Sequence, residues 1–152
     1  MSDAINEWRQ AGVMHLWRYK PEKSGLKGWH FQADEQGLNS AIALVELLAS
    51  ATYPSKRTLN LTKPSERTIN GPFSPIGNRK AIAPVSLQLS IDANQPEDLW
   101  QLEEEGETAK LHLGSKSIVE LLAGLRERKE RGYGDFAVGP TRGERPANIW
   151  FW

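Results

Sequence analysis

Val45-Glu46-Leu47-Leu48-Ala49 and Val119-Glu120-Leu121-Leu122-Ala123 are one pentapeptide written twice in a chain of 152 residues. Leu, Ala and Glu are common in any helix, so the repetition alone marks only two helices. Their surroundings repeat as well. A Leu-Trp pair stands upstream of each copy, Leu16-Trp17 and Leu99-Trp100. Between pair and pentapeptide come a turn and an alternating strand with a central histidine, Trp29-His30-Phe31 in the first half and Leu111-His112-Leu113 in the second. Strand, turn, strand, helix therefore recurs in order. The chain reads as a tandem duplicated strand-hairpin-helix unit within a single domain over 1–152, with pseudo-repeats at about 13–62 and 85–152.

Working outward, residues 3–10 suit a short helical lead-in. Residues 13–19 alternate and are rich in aromatics, which predicts a strand. Residues 20–27 hold Pro21 and Gly25 and read as a turn, and 28–34 as the returning strand of a hairpin. Leu38, Ile42, Val45 and Leu48 recur at helical spacing over 36–50. Residues 57–62 form a strand with one wet face. The segment 63–84 carries Pro64, Pro72, Pro75 and Pro84 and little periodicity, so it is expected as a surface loop largely without helix or strand. Residues 85–91 alternate cleanly, Val85, Leu87, Leu89 and Ile91 inward, Ser86, Gln88 and Ser90 outward. A second hairpin spans 99–113. A second helix follows over 115–131, with Ser115 or Ser117 as its cap and Glu120 at the capping-box position if Ser117 caps. Residues 133–138 and 148–152 are the closing strands. Short hairpins with two helices imply an α+β fold, an antiparallel sheet bearing both helices.

Composition narrows the function classes. Hydrophobic residues at 39% and charged residues at 25% are those of an ordinary globular protein. The chain has no cysteine, which excludes a disulfide scaffold, a thiolate metal site and a cysteine nucleophile. No apolar run approaches the ~18 residues of a membrane span, and the N-terminus lacks the pattern of a secretory signal. A cytoplasmic location, away from membranes, is the expectation. Net charge is zero, but its distribution is uneven. Residues 53–91 carry Lys56, Arg57, Lys63, Arg67, Arg79 and Lys80 against Glu66; residues 92–109 carry Asp92, Glu97, Asp98, Glu103, Glu104, Glu105 and Glu107 and no base. Such polarity steers an anionic ligand to one side, or sets up head-to-tail contacts in a homo-oligomer such as a dimer.

Signatures of catalysis are missing. There is no Gly-x-Ser-x-Gly elbow, no phosphate loop and no Gly-x-Gly-x-x-Gly. His15 and His30 share a hairpin, with Asp34 on the alternation of His30, yet no metal-ligand spacing such as His-Glu-x-x-His occurs. The carboxylates of the 103–107 hairpin tip are expected to be solvated, which makes a general acid–base pair doubtful. The sequence thus predicts no catalytic residue, no metal and no cofactor: a non-catalytic binding module.

The first hairpin suggests a ligand. It interleaves Trp17-Arg18-Tyr19-Lys20 with Lys23, Lys27 and Trp29, and Lys56 and Arg57 add charge. Flat side chains offer stacking surfaces for unpaired bases while basic residues follow the phosphates. The turn Lys23-Ser24-Gly25-Leu26-Lys27-Gly28, the strand Trp29-His30-Phe31 and the helix opening Glu35-Gln36 resemble the positive cofactor four family of single-stranded DNA-binding coactivators, and the layout is similar to that of Whirly and PUR-repeat proteins. The resemblance implies a curved sheet that binds single-stranded DNA or RNA through Trp17, Arg18, Tyr19, Lys20, Lys23, Lys27, Lys56 and Arg57. The second half keeps the layout but turns through Glu103-Glu104-Glu105-Gly106-Glu107, which repels phosphate. The alternative is a protein-interaction or self-associating module whose basic segment meets the acidic hairpin of another chain; a third option is an enzyme with no recognisable signature.

Overall fold

The structure, a computed structural model, describes residues 4–20, 28–70, 80–140 and 146–152. The chain forms α1 (Ala4–Glu7), β1 (Met14–Lys20), β2 (Trp29–Ala33), α2 (Glu35–Ala49), β3 (Ser55–Asn60), α3 (Glu66–Asn70), β4 (Lys80–Ile82), β5 (Ser86–Ile91), β6 (Trp100–Glu105), β7 (Thr108–Leu113), α4 (Ser115–Arg131), β8 (Phe136–Val138) and β9 (Ile149–Phe151). It is an α+β fold. The expected single antiparallel sheet is replaced by two mixed sheets, ordered β4-β1-β2-β9-β8 and β3-β5-β7-β6. The parallel pairs are β2–β9 and β5–β7. They arise because strands distant in sequence join the open edge of each hairpin.

The topology contains an exchange. The hairpin β1–β2 leads into α2, and the chain then crosses to the other sheet to lay down the antiparallel pair β3 and β5. The hairpin β6–β7 leads into α4, and the chain crosses back to lay down the antiparallel pair β8 and β9. Each sheet thus joins the hairpin of one half to the pair of the other. The order from β1 to β5 is β-β-α-β-α-β-β and from β6 onward β-β-α-β-β, the first stretch carrying α3 and β4 in addition. The sequence marks that suggested the repeat do not fall at equivalent places. Val45 lies eleven residues beyond the α2 N-cap, Asp34, whereas Val119 lies five beyond the α4 N-cap, Gly114. Val45 is buried and Val119 is exposed. By distance from the N-cap, His30 corresponds to Lys110 and not to His112.

One core joins both sheets to the helix pair. Met14, Leu16 and Phe31 from the first sheet meet Leu87, Leu89, Leu111 and Leu113 from the second. α2 contributes Leu38, Leu44, Val45 and Leu48, and α4 contributes Ile118, Leu121, Leu122 and Leu125. Asp34 starts α2 by accepting from Gly37 N at 2.7 Å. α4 starts differently from the expectation. Its N-cap is Gly114, with no side-chain cap, and Ser117 is a buried residue of the first turn. The Glu97 carbonyl does the capping, accepting from Lys116 N at 2.9 Å and Ser117 N at 3.2 Å. A side chain at Gly114 would collide with the Pro96 and Glu97 carbonyls, so glycine is what allows that approach. Glu120 reaches away to accept from Gly139 N at 3.0 Å.

Segment 63–84 departs from a structureless loop. Its described ends form α3 and β4, and β4 pairs with β1. Ile69, Ala81 and Ala83 fold over Trp17 and Tyr19, making a second small core on the outer side of the first sheet. No helix among the described residues is long and apolar enough to cross a membrane.

Candidate functional site

Strict alternation gives the second sheet an apolar inner face and a polar outer one. Register then aligns the outer residues into rows across the four strands. One row is Lys56, Ser90, His112 and Gln101; the next is Thr58, Gln88, Lys110 and Glu103; the third is Asn60, Ser86, Thr108 and Glu105. Neighbours within and between rows are bonded. Ser86 and Thr108 hydroxyls meet at 2.9 Å. Lys110 Nζ donates to Glu105 at 2.6 Å. That bond holds the Glu105 carboxyl below the usual carboxylate range and raises the Lys110 ammonium above its ordinary value.

The first row is different in two respects. Ser90 Oγ lies 2.8 Å from His112 Nδ1, and His112 Nε2 lies 2.8 Å from Glu103 Oε1, so hydroxyl, imidazole and carboxylate form one chain. The same row also forms the floor of a cleft of about 540 Å³, lined by Lys56, Ser90, Asp92, Gln95, Gln101 and His112, with Pro54 and Leu99 among its apolar walls. The connection from β5 to β6 supplies Asp92, Gln95 and Leu99. Asp92 shapes that connection by accepting from Asn94 N at 2.9 Å through its side chain and from Gln95 N at 3.1 Å through its carbonyl.

The residues expected to bind nucleic acid are dispersed. Trp17 and Tyr19 are 2% and 6% exposed, roofed by Ile69, and the Tyr19 hydroxyl donates to the Ile69 carbonyl at 2.6 Å. No base stacks on either ring in this arrangement. The burial of both rings has a simple cause: one face of β1 packs into the main core, and Ile69, Ala81 and Ala83 cover the other. Arg18 forms a bidentate pair with Glu104, both oxygens at 3.1 Å from Nε, and sits over the Trp29 ring. Arg57 stacks on Trp8 and donates to the Trp8 carbonyl at 2.8 Å. Lys20 and Lys56 are exposed but lie on different sheets. Lys23 and Lys27 lie outside the described residues.

The acidic hairpin is partnered rather than merely solvated: Glu103 with His112, Glu104 with Arg18, Glu105 with Lys110. His30 is buried between aromatic rings, stacked on Trp17 at 5.6 Å and on Trp152 at 6.0 Å, and accepts from Trp152 Nε1 at 2.9 Å. His15 Nδ1 lies 2.7 Å from the Thr62 carbonyl. Among the described residues no cluster of His and carboxylates suits a metal ion.

Sequence reasoning did not pick out Ser90, His112, Glu103 and the cleft. A partial signal was present, because alternation already put Ser90 on a wet face. What it lacked was the adjacency of β5 and β7, parallel strands whose order in the sheet no local pattern reveals. Comparison with known proteins found no matching family model, no matching curated protein and no matching solved structure.

Proposed function

We propose that this chain is a binding module whose site is the cleft above Lys56, Ser90, His112 and Gln101, and whose ligand is a small zwitterion of the amino-acid or dipeptide class. The observation that carries the reading is the opposed charge of the lining. Lys56 and Asp92 border one concavity whose floor also offers a hydroxyl, an imidazole and an amide. A ligand bearing a carboxylate and an ammonium group matches both. The volume lies within the roughly 300–1,000 Å³ range of small-molecule sites. Titrating the ¹⁵N-labelled protein with free amino acids and dipeptides tests it. Amide shifts should centre on Lys56, Ser90, Gln101 and His112, and Ser90→Trp, which fills the cleft, should remove them. Saturating titrations that leave those amides unmoved would overturn the reading.

A second reading keeps single-stranded nucleic acid as the partner, through phosphate contacts without stacking. Lys20 and Lys80 favour it, exposed register partners on adjoining strands. Binding of this kind is salt-dependent and sequence-tolerant. Lys20→Glu with Lys80→Glu should abolish a low-salt gel shift, and absence of any shift with the wild-type protein would dismiss the reading.

A further inference from the structure

We infer that the cleft is reactive as well as receptive, with Ser90 as a nucleophile toward small amino-acid esters, His112 as its base and Glu103 positioning that base. The inference rests on the reading of the cleft as a zwitterion site: an amino-acid ester offers the same ammonium to Asp92 and places its carbonyl oxygen where the carboxylate would meet Lys56, and its hydrolysis product is the zwitterion. It follows from how the hydrogen bonds constrain one another. A carboxylate only accepts, so the 2.8 Å contact between Glu103 Oε1 and His112 Nε2 places the proton on Nε2. A neutral imidazole carries one N–H, so Nδ1 presents its lone pair. That lone pair faces Ser90 Oγ at 2.8 Å, and the serine hydroxyl donates to it. Nucleophile, base and orienting carboxylate thus stand in the sequence of an activated serine, with the two imidazole nitrogens exchanged relative to the usual triad.

A polar sheet surface often pairs hydroxyls and charges for no purpose beyond satisfying them. Two other pairs on the same face do so: Ser86 with Thr108, hydroxyl to hydroxyl, and Lys110 with Glu105, cation to carboxylate. Neither ends in a hydroxyl held by a base. Only the row that floors the cleft does, and both Ser90 and His112 line it.

The reaction balances with groups on the page and water. Ser90 Oγ attacks the ester carbonyl carbon while its proton passes to His112 Nδ1. The tetrahedral intermediate collapses, the carbon–oxygen bond to the leaving group breaks, and that proton goes to the departing alkoxide. Acyl-Ser90 is then attacked by water, whose proton returns through His112, and the free amino acid leaves. β5 is paired on both sides, so its own backbone N–H groups are committed to ladders and the oxyanion is left to a cleft side chain. Lys56 is the register partner of Ser90 and lines the cleft. Asp92, on the same lining, suits the substrate ammonium.

The test is p-nitrophenolate release from alanine p-nitrophenyl ester, with intact-mass and peptide mapping of the adduct. Wild-type protein should show a burst and an acyl group on Ser90. Ser90→Ala should abolish the adduct, and His112→Gln should slow its formation about 100-fold. Both residues lie half-exposed on the wet face, and circular dichroism should confirm that the variants fold. Glu103→Gln should lower the rate about 10-fold at unchanged KM and move the His112 ¹⁵N resonances toward the other tautomer, a signature that a purely structural role would not produce. Acyl groups found on lysines alone, or a rate unaffected by His112→Gln, would overturn the inference. Amino acids that titrate onto the cleft without any Ser90 adduct would leave the binding site standing and overturn the nucleophile. An adduct formed equally fast from p-nitrophenyl acetate, with no amide shifts from free amino acids, would overturn the amino-acid preference and the zwitterion site with it.

Discussion

The Arg18 guanidinium and the Glu104 carboxylate tie β1 of the first sheet to the edge strand β6 of the second, with Nε at 3.1 Å from both oxygens and an Nη–Oε contact of 3.0 Å. Both side chains are largely sheltered, at 17% and 30% exposure. Bidentate geometry restricts the pair less wastefully than two flexible surface ions would be restricted. A cycle of Arg18→Met, Glu104→Gln and the double variant, followed by urea unfolding, should return a coupling of about 1 kcal/mol at low salt, shrinking as salt screens it. A coupling near zero at low salt would mean that this pair contributes nothing to joining the sheets.

The twin pentapeptides offer an internal control. Val45 is 1% exposed and Val119 57%. Val45→Ala should destabilise the fold by about 2 kcal/mol through lost burial and a residual cavity. Val119→Ala should stay within about 0.5 kcal/mol of the parent. Equal effects on the chemical denaturation midpoint would contradict the different phases of the two helices.

Tyr19→Phe removes the hydroxyl that holds the Ile69 carbonyl but keeps the ring. The cost should be about 1 kcal/mol. Amide exchange should quicken across residues 66–70 first, because α3 is short and this bond anchors it beneath the sheet. Uniform change across the whole chain would place the bond's effect elsewhere.

Asp34 gives the fold an acid-sensitive point. Its Oδ1 accepts from Gly37 N and, at 3.0 Å, from Val13 N, and these two bonds hold the carboxyl below its ordinary value of 3.8. A lowered folded value means the charged form is the one the fold prefers. The stability it adds is therefore complete above 3.8 and fades as pH falls from there through the folded value. Asp34→Asn, which still caps, should flatten the stability profile in that window and leave neutral-pH behaviour nearly unchanged. Asp34→Ala should lose stability at every pH.

α4 passes close to β9 at Gly124, where an added Cβ would stand 2.9 Å from both Phe151 Cε2 and Val138 Cγ1. Gly124→Val should destabilise by about 2–3 kcal/mol despite a better helix propensity, because the core has no room to receive it. A thermal melt that rises would show that the helix can slide outward.

Periodicity determined the elements of this protein. Leu38, Ile42, Val45 and Leu48 specified a helix, and the alternation of 85–91 specified a strand with Ser90 outward, because both patterns are local consequences of backbone geometry. The α+β class followed from counting them. Partners were another matter. Nothing local to 86–91 says that β5 lies parallel to β7, or that the chain exchanges strands between sheets after each helix. Nothing local to 14–20 says that Ile69 will roof Trp17 and Tyr19. Those pairings are long-range choices, made where two apolar surfaces meet and exclude water, and they turned the expected aromatic platform into a core. They also set Ser90 on β5 beside His112 on β7, 22 residues on, where the predicted 99–113 hairpin already held His112 next to Glu103.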